Sequence, residues 1–485
     1  MLRYNTISVK GKSMKRRRFP TLLSFASGLA AGGALLLAVP VAQGADLSEV
    51  YQQALRNDPQ LREAEAIRLA ALESKPQALS ALLPQISAGG SYSKDQSNGS
   101  QVVFDGQAFT TRSSESDLTT KGWGLTLRQS LFKWDNWAAL KQADAQVAQA
   151  EADYHTAQQQ LVLRTAQAYF NVLAARDTLT AGQSALEAIT RQLEQAEKRF
   201  EVGLIAVTDV QEAKAAHDQA NATVIAGKRA LATRLEELRE LTGEPVSELK
   251  APGDDMPLTA PSPADEEQWV RQAFDQNLAL TSARLSADVA REGISVAKGG
   301  HGPTIDLVAR KSGSNTNGDT ATATTLGTLN NPIDTNSDAD SISVQFSIPL
   351  YSGGATQSRV RQAVYRHRAS RERLERVARE TERDARDAYL GVTSEMARVT
   401  ALKQAVASSQ VALEATEAGY EVGTRTAVDV LEARRRLTDA QTNYARSKYD
   451  YLLNVLRLRL AAGSLDEGAL TQTNALLTQP APVSR

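Results

Sequence analysis

In the segment Ser341-Ile-Ser-Val-Gln-Phe-Ser-Ile-Pro-Leu350, Ile342, Val344, Phe346, Ile348 and Leu350 fall on one side of an extended chain. Ser341, Ser343, Gln345 and Ser347 fall on the other. Trp123, Leu125 and Leu127 against Gly124, Thr126 and Arg128 follow the same alternation, and Ile305 and Leu307 against Asp306 follow it more weakly. These stretches predict two β-hairpins, one in each half of the chain. Pro84 and Pro303 separate each hairpin from a preceding helical segment, at 46–80 and 265–298. The stretches 95–118 and 312–338 are mostly Ser, Thr, Asn, Asp and Gly, so the expectation there is a long, polar, solvent-facing loop in each hairpin. A hairpin of about 10 residues per strand with one apolar face fits an outer-membrane strand pair, and it fits a half-buried hairpin of a soluble domain equally well.

After the first hairpin the period changes. Leu140, Ala143, Val147, Ala150, Tyr154, Ala157 and Leu161 step by threes and fours, as do Leu186, Ile189, Leu193, Ala196 and Phe200, with no proline between Trp137 and Phe200. A continuous helix of that extent would be roughly 95 Å long, more than an ordinary domain can hold. Val406, Ser409, Leu413, Thr416 and Tyr420, then Val430, Ala433, Leu437, Ala440 and Tyr444, form a matching seam in the second half. Such spacing asks for a coiled-coil partner, and the nearest is the helix that returns after Gly203 or Gly423, each expected to cap in the left-handed region. Thr208-x-x-Gln211 reads as a capping box that restarts the helix, and Thr426-x-x-Asp429 does so more loosely. The returning helices end at Gly243 and Gly463.

The two halves are copies. Arg199-Phe-Glu-Val-Gly-Leu-Ile-Ala-Val-Thr-Asp-Val-Gln-Glu-Ala213 returns as Gly419-Tyr-Glu-Val-Gly-Thr-Arg-Thr-Ala-Val-Asp-Val-Leu-Glu-Ala433, and Tyr169 and Tyr389 share the same offset. The organisation is therefore a signal peptide at 1–44, a first repeat at 45–243, a Pro-rich linker at 244–264, a second repeat at 265–463 and a C-terminal tail at 464–485. The signal rests on Lys15-Arg16-Arg17-Arg18, the apolar run Leu22 to Val41 and the small residues before Ala45, with Met14 read as the start. The chain has no cysteine, so disulfides and thiol chemistry are excluded. Beyond the signal no apolar run is long enough for a membrane helix, and any membrane part must be made of strands. Four strands cannot close a barrel, and open edges are not tolerated in hydrocarbon, so closure needs several chains.

Composition narrows the chemistry. Net charge is −1, which points to no nucleic-acid partner, and 42% hydrophobic residues with 5% aromatic suit close helix packing. His155, His217, His301 and His367 lack metal-ligand spacing, and no phosphate-binding loop, zinc-protease motif or serine-hydrolase elbow occurs. Gly353-Gly354 reads as a strand-to-helix turn. Neither an enzyme nor a cofactor protein is expected. Asp429 and Glu432 are three apart at a helix start; on one chain they form a capping pattern, and on a symmetric bundle they would form a cation-attracting ring.

Ala166-Gln-Ala-Tyr-Phe-Asn-Val-Leu173, Arg199-Phe-Glu-Val-Gly203, Thr208-Asp-Val-Gln211 and Gly419 to Leu431 resemble the TolC family of outer-membrane exit ducts, over essentially the whole mature chain. The resemblance implies an α+β membrane protein. It would be a homotrimer whose four strands per chain make a 12-stranded barrel in outer-membrane lipid, continuous with a periplasmic coiled-coil barrel belted by smaller elements. It implies multidrug efflux and type I secretion together with a periplasmic adaptor and an inner-membrane transporter. It also implies a gate in which Tyr420 and Arg425 bond to Thr208 and Asp209, with Gln192 and Glu417 as a second link. Asp429 matches an entrance aspartate, and Glu432 stands where the family has a second one. The competing readings are a duct of the same fold dedicated to one metal or toxin, and a soluble periplasmic coiled-coil scaffold.

Overall fold

The computed structural model describes residues 45–104, 106–324 and 327–483, and the signal segment read at 1–44 lies outside the described residues. Three helices open the first half: α1 (Leu47–Asn57), α2 (Pro59–Leu72) and α3 (Ser74–Ser80). Strands β1 (Gln85–Phe104) and β2 (Phe109–Lys133) follow, then α4 (Trp134–Glu201) and the returning α5 (Val207–Thr242). After β3 (Glu248–Pro252) the order recurs as α6 (Glu266–Gln276), α7 (Leu278–Gly299), β4 (Thr304–Thr324), β5 (Gly327–Ser347), α8 (Ala355–Glu421) and α9 (Ala427–Ala461). The chain closes with α10 (Glu467–Asn474) and β6 (Leu477–Pro482). At 68 and 67 residues, α4 and α8 are each about 100 Å long.

The strands form one antiparallel sheet in the order β1-β2-β4-β5. Ile86, Trp123, Leu125, Ile342, Val344 and Phe346 are exposed on it, as the alternation required. The long loops expected at 95–118 and 312–338 are not found. β1 and β2 pair without a break from Gln85–Arg128 to Phe104–Phe109, and β4 and β5 from Thr304–Ser347 to Thr324–Gly327. Polar side chains bond across these ladders, Thr120 with Thr316 at 3.1 Å, Gln96 to Asp117 at 3.0 Å and Asn315 to Asn336 at 2.6 Å. A strand wetted on both faces has no hydrophobic period, and a pattern search reads it as loop.

The segment read as a linker holds β3, which pairs antiparallel with β6 of the tail. This small sheet, with α1 and α10, borders the main core, where Leu161, Tyr169, Phe170 and Leu173 of α4 meet Tyr451, Leu452 and Leu456 of α9. Buried Asp58 caps α2 by accepting from the Leu61 N–H (2.9 Å) and pairs with Arg164 at 2.7 Å, so its charge is neutralised where burial would otherwise make it costly. Helices stack end to end at this level. Asn277 caps α7 through Oδ1 (3.0 Å from Leu280 N), and its Nδ2 donates to the last carbonyl of α9, Ala461, at 3.0 Å. Asn57 Nδ2 likewise donates to Thr242 O at the end of α5, while α2 is capped by its neighbour Asp58. Asn277 thereby satisfies orphan groups of two helices and Asn57 of one.

Candidate functional site at the helical tips

Both coiled-coil tips turn in five residues, Val202–Ala206 and Val422–Thr426, through Gly203 and Gly423 at φ +79°. Leu204 N donates to Arg199 O (2.9 Å) and Thr424 N to Gly419 O (2.8 Å), closing the orphan carbonyls in the same way. The restarts differ. Helix α5 is capped by Ala206 with no side-chain bond, so Thr208 lies inside the helix and the expected capping box there does not form. Helix α9 has the full box: Thr426 Oγ1 accepts from Asp429 N at 3.2 Å, and Asp429 Oδ2 accepts from Thr426 N at 2.9 Å. The backbone N–H of Thr426 holds the Asp429 carboxyl below its usual range, helped by the Thr426 hydroxyl and by nearby Arg425 and Arg436.

Thr426→Ala should therefore destabilise the start of α9 by about 1 kcal/mol, seen as faster amide exchange at residues 427–430 with the start of α5 unchanged. Because the Asp429 pKa is depressed, its contribution is present above the unfolded-state value and is lost as pH falls through the folded-state value.

The two tips meet through contacts of their own. Gln192 Nε2 reaches Ala427 O at 3.5 Å, and the Arg199 guanidinium lies 5.1 Å from the centre of the Tyr420 ring. Among the described residues no hydrogen bond joins Tyr420 or Arg425 to Thr208 or Asp209 within one chain, and Glu417 pairs with Arg434 of α9 instead of Gln192. Glu432 is exposed and pairs with Arg436 at 3.0 Å. Inside the second coil Leu413, Val430, Ala433 and Leu437 are buried against Val406 and Tyr420. A groove of about 530 Å³ runs between the coils, walled by Ala185 and Ile189 of α4, Ala216 and Ala220 of α5 and Leu431 and Glu432 of α9.

Sequence reasoning overlooked Arg199, Arg434 and Arg436. Arginine on a coiled-coil surface has no spacing signal, and its partner is set by packing. It also overlooked the clamp above the tips, where Phe170 stacks on Tyr449 (5.8 Å between centres) and Tyr449 O–H donates to Asp177 at 2.5 Å. Burial pushes the Tyr449 hydroxyl far above its ordinary value, as it does the Tyr169 hydroxyl, which donates to Lys250 O at 2.7 Å and accepts from Lys250 N at 2.8 Å. Tyrosines recurring in an Ala-rich helix were the available signal.

The sequence profile described as outer membrane efflux protein matches twice, at residues 50–244 and 269–464. The chain is 38% identical over 430 residues to the outer membrane protein TolC of Vibrio cholerae, covering 89% of this chain and 93% of that one. It is 29% identical over 441 residues to the alkaline protease secretion protein AprF of Pseudomonas aeruginosa, covering 90% and 89%. Its fold is similar to the crystal structure of the Campylobacter jejuni CmeC outer membrane channel, with a TM-score of 0.68 and 17% identity over 89% of this chain and 90% of that chain.

Proposed function

The chain belongs to the outer membrane efflux protein family, and we propose that three copies assemble into one continuous duct from the periplasm through the outer membrane. It serves efflux and type I secretion with a periplasmic adaptor and an inner-membrane pump. The observation that carries this reading is the four-stranded sheet, whose outer strands β1 and β5 keep open edges and whose exposed face carries Ile86, Trp123, Ile342, Val344 and Phe346. Open edges in lipid are too costly to persist, and three such sheets joined edge to edge give a closed 12-stranded wall. The outward ion pairs Lys311–Asp340 (3.3 Å) and Lys94–Asp117 (3.5 Å) fit the end of the lipid-facing band, with the polar remainder of the strands standing in water outside the cell. The twice-matching family profile supports a duplicated half as the building unit. In the lower part, α8–α9 form the mobile inner pair and α4–α5 the outer pair. They are held closed by Arg199–Tyr420 and Gln192–Ala427, with Arg425, Thr208, Asp209 and Glu417 at the same tips as further links between copies.

Protein extracted from outer membranes should require detergent, scatter light with the mass of three chains, and give stepwise conductance in planar bilayers. A monomer, or a trimer that never conducts, would overturn the duct.

A further inference from the structure

The upper part of α8 has an unusual distribution of charge. From residue 355 to 371 it carries Arg359, Arg361, Arg366, Arg368 and Arg371 and no acidic residue, in a chain whose net charge is −1. Arg359, Arg366 and Arg373 are spaced by seven, so they lie on one face of the helix at intervals of about 10 Å. All three are exposed, and among the described residues none of them forms an ion pair.

The direction of that face follows from two landmarks lower on the same helix. Ala385 and Arg386 touch α6, Ala385 in a buried cluster with Val270 and Ala273, and Arg386 through Glu266 and Glu267. On the opposite side of α8, Glu380, Asp384 and Asp387 wall a cavity of about 760 Å³ shared with Thr156 and Gln159 of α4 and Ala279 of α7. Stepping upward by sevens from Glu380 and Asp387 leads to Arg373, Arg366 and Arg359, so the arginine stripe continues the cavity side and points away from α6. On the proposed duct, where the belt to which α6 belongs lies outside, this is the interior. On the neighbouring helices Ala145 and Gln149 precede Thr156 by eleven and seven, and Ser286, Ala290 and Ala297 follow Ala279 by seven, eleven and eighteen, all uncharged, while Asp153, seven before Gln160, accepts from Ser282 Oγ at 2.5 Å.

We propose that Arg359, Arg366 and Arg373 form a cationic ladder on the inner wall of the duct between barrel and belt, and that it binds polyvalent anions in transit, including acidic stretches of an exported polypeptide. The ladder rests on the duct reading given above and adds a substrate preference to it. Three unpaired guanidiniums per chain, repeated around a narrow water-filled bore, focus the field and concentrate counter-anions there. Guanidinium binds phosphate and carboxylate oxygens in pairs, which makes a polyanion a better ligand than chloride. Below Arg373 the stripe reaches Glu380, which pairs with Arg376 at 2.6 Å, and the adjoining Asp384 pairs with Arg383 at 2.7 Å, so the uncompensated positive charge ends at Arg373 and an anion entering from the strand side meets the ladder first. Binding should therefore depend on the side of entry.

The test uses the full-length protein in planar bilayers with inorganic pyrophosphate as the probe. Pyrophosphate added on the strand side should reduce conductance at concentrations about tenfold lower than when added on the helical-tip side. The triple variant Arg359→Gln, Arg366→Gln, Arg373→Gln should remove that difference, and a triple lysine variant should retain most of it. Equal block from both sides of the wild type overturns the ladder whatever the variants do. So does unchanged block in a conducting glutamine variant. Failure of the wild type to conduct at all is a separate result, since it counts against the duct itself.

Discussion

Gly463→Ala should lower the thermal stability of the purified protein far more than Gly243→Ala, although the two glycines end equivalent helices. Both sit in the left-handed region, at φ +74° and +76°, so alanine costs about 1–2 kcal/mol at either place from backbone strain alone. Their surroundings differ. A Cβ at Gly243 would meet the Asn57 side chain at 3.3 Å, which can yield by a small rotation. A Cβ at Gly463 would collide with the Gln276 carbonyl, and its carbon and the Asn277 nitrogen are as close behind. That backbone belongs to the junction where Asn277 caps α7 and bonds the last carbonyl of α9, and Gln159 Nε2 also donates to Gly463 O there at 3.1 Å. Relief requires parting two stacked helices at the base of the main core. The expected result is a melting midpoint lowered at least twice as far for Gly463→Ala as for Gly243→Ala, read by circular dichroism in detergent. Equal shifts would mean that the junction yields as easily as a side chain.

The legible parts of this fold were those with a strong period. The seam from Leu140 to Phe200 and its echo from Val406 to Tyr444 belong to long paired helices, and Ile342, Val344 and Phe346 belong to a strand with one apolar face, which ends at Ser347 and leaves Ile348 and Leu350 beyond it. Gly203 and Gly423 marked the tips because a left-handed residue is needed there. What escaped the reading lacked a period or depended on partners distant in sequence. Ser, Thr and Asn between 95 and 118 look like loop, yet they pair along the ladder, most of them opposite a polar residue, as Ser97 with Ser116 and Asn98 with Glu115. The linker strand β3 is defined by β6 and by a bridge to Ala45, each more than 200 positions away. At the candidate site, Thr426 and Thr208 offered nearly the same capping pattern. Only the first caps, since α5 is capped by Ala206 and leaves Thr208 two residues too deep to act.

Neutralising the tip carboxylates should turn the entrance against cations, by an amount that depends on two arginines. Asp429 and Glu432 alone would make a strongly acidic ring in a trimer, but Arg436 pairs with Glu432 at 3.0 Å, and Arg425 and Arg436 both act electrostatically on Asp429. On the proposed trimer each chain would therefore bring two carboxylates and two guanidiniums to the mouth, with formal charges that cancel. An exposed pair of this kind contributes only about 0–1 kcal/mol to stability, so changing it should alter permeation and leave assembly intact. Asp429→Asn with Glu432→Gln leaves the arginines unopposed and should make the mouth repel cations. Arg436→Gln frees Glu432 and should make it attract them. Block by a trivalent cation added on the helical-tip side should then rank Arg436→Gln above wild type and wild type above the double variant, with about tenfold between the extremes. Reversal potentials in a salt gradient should follow the same order. The capping role of Asp429 predicts a different pattern. If the pair serves only to start α9, Arg436→Gln leaves block unchanged, and the double variant shows faster amide exchange at 427–430 without any change in selectivity.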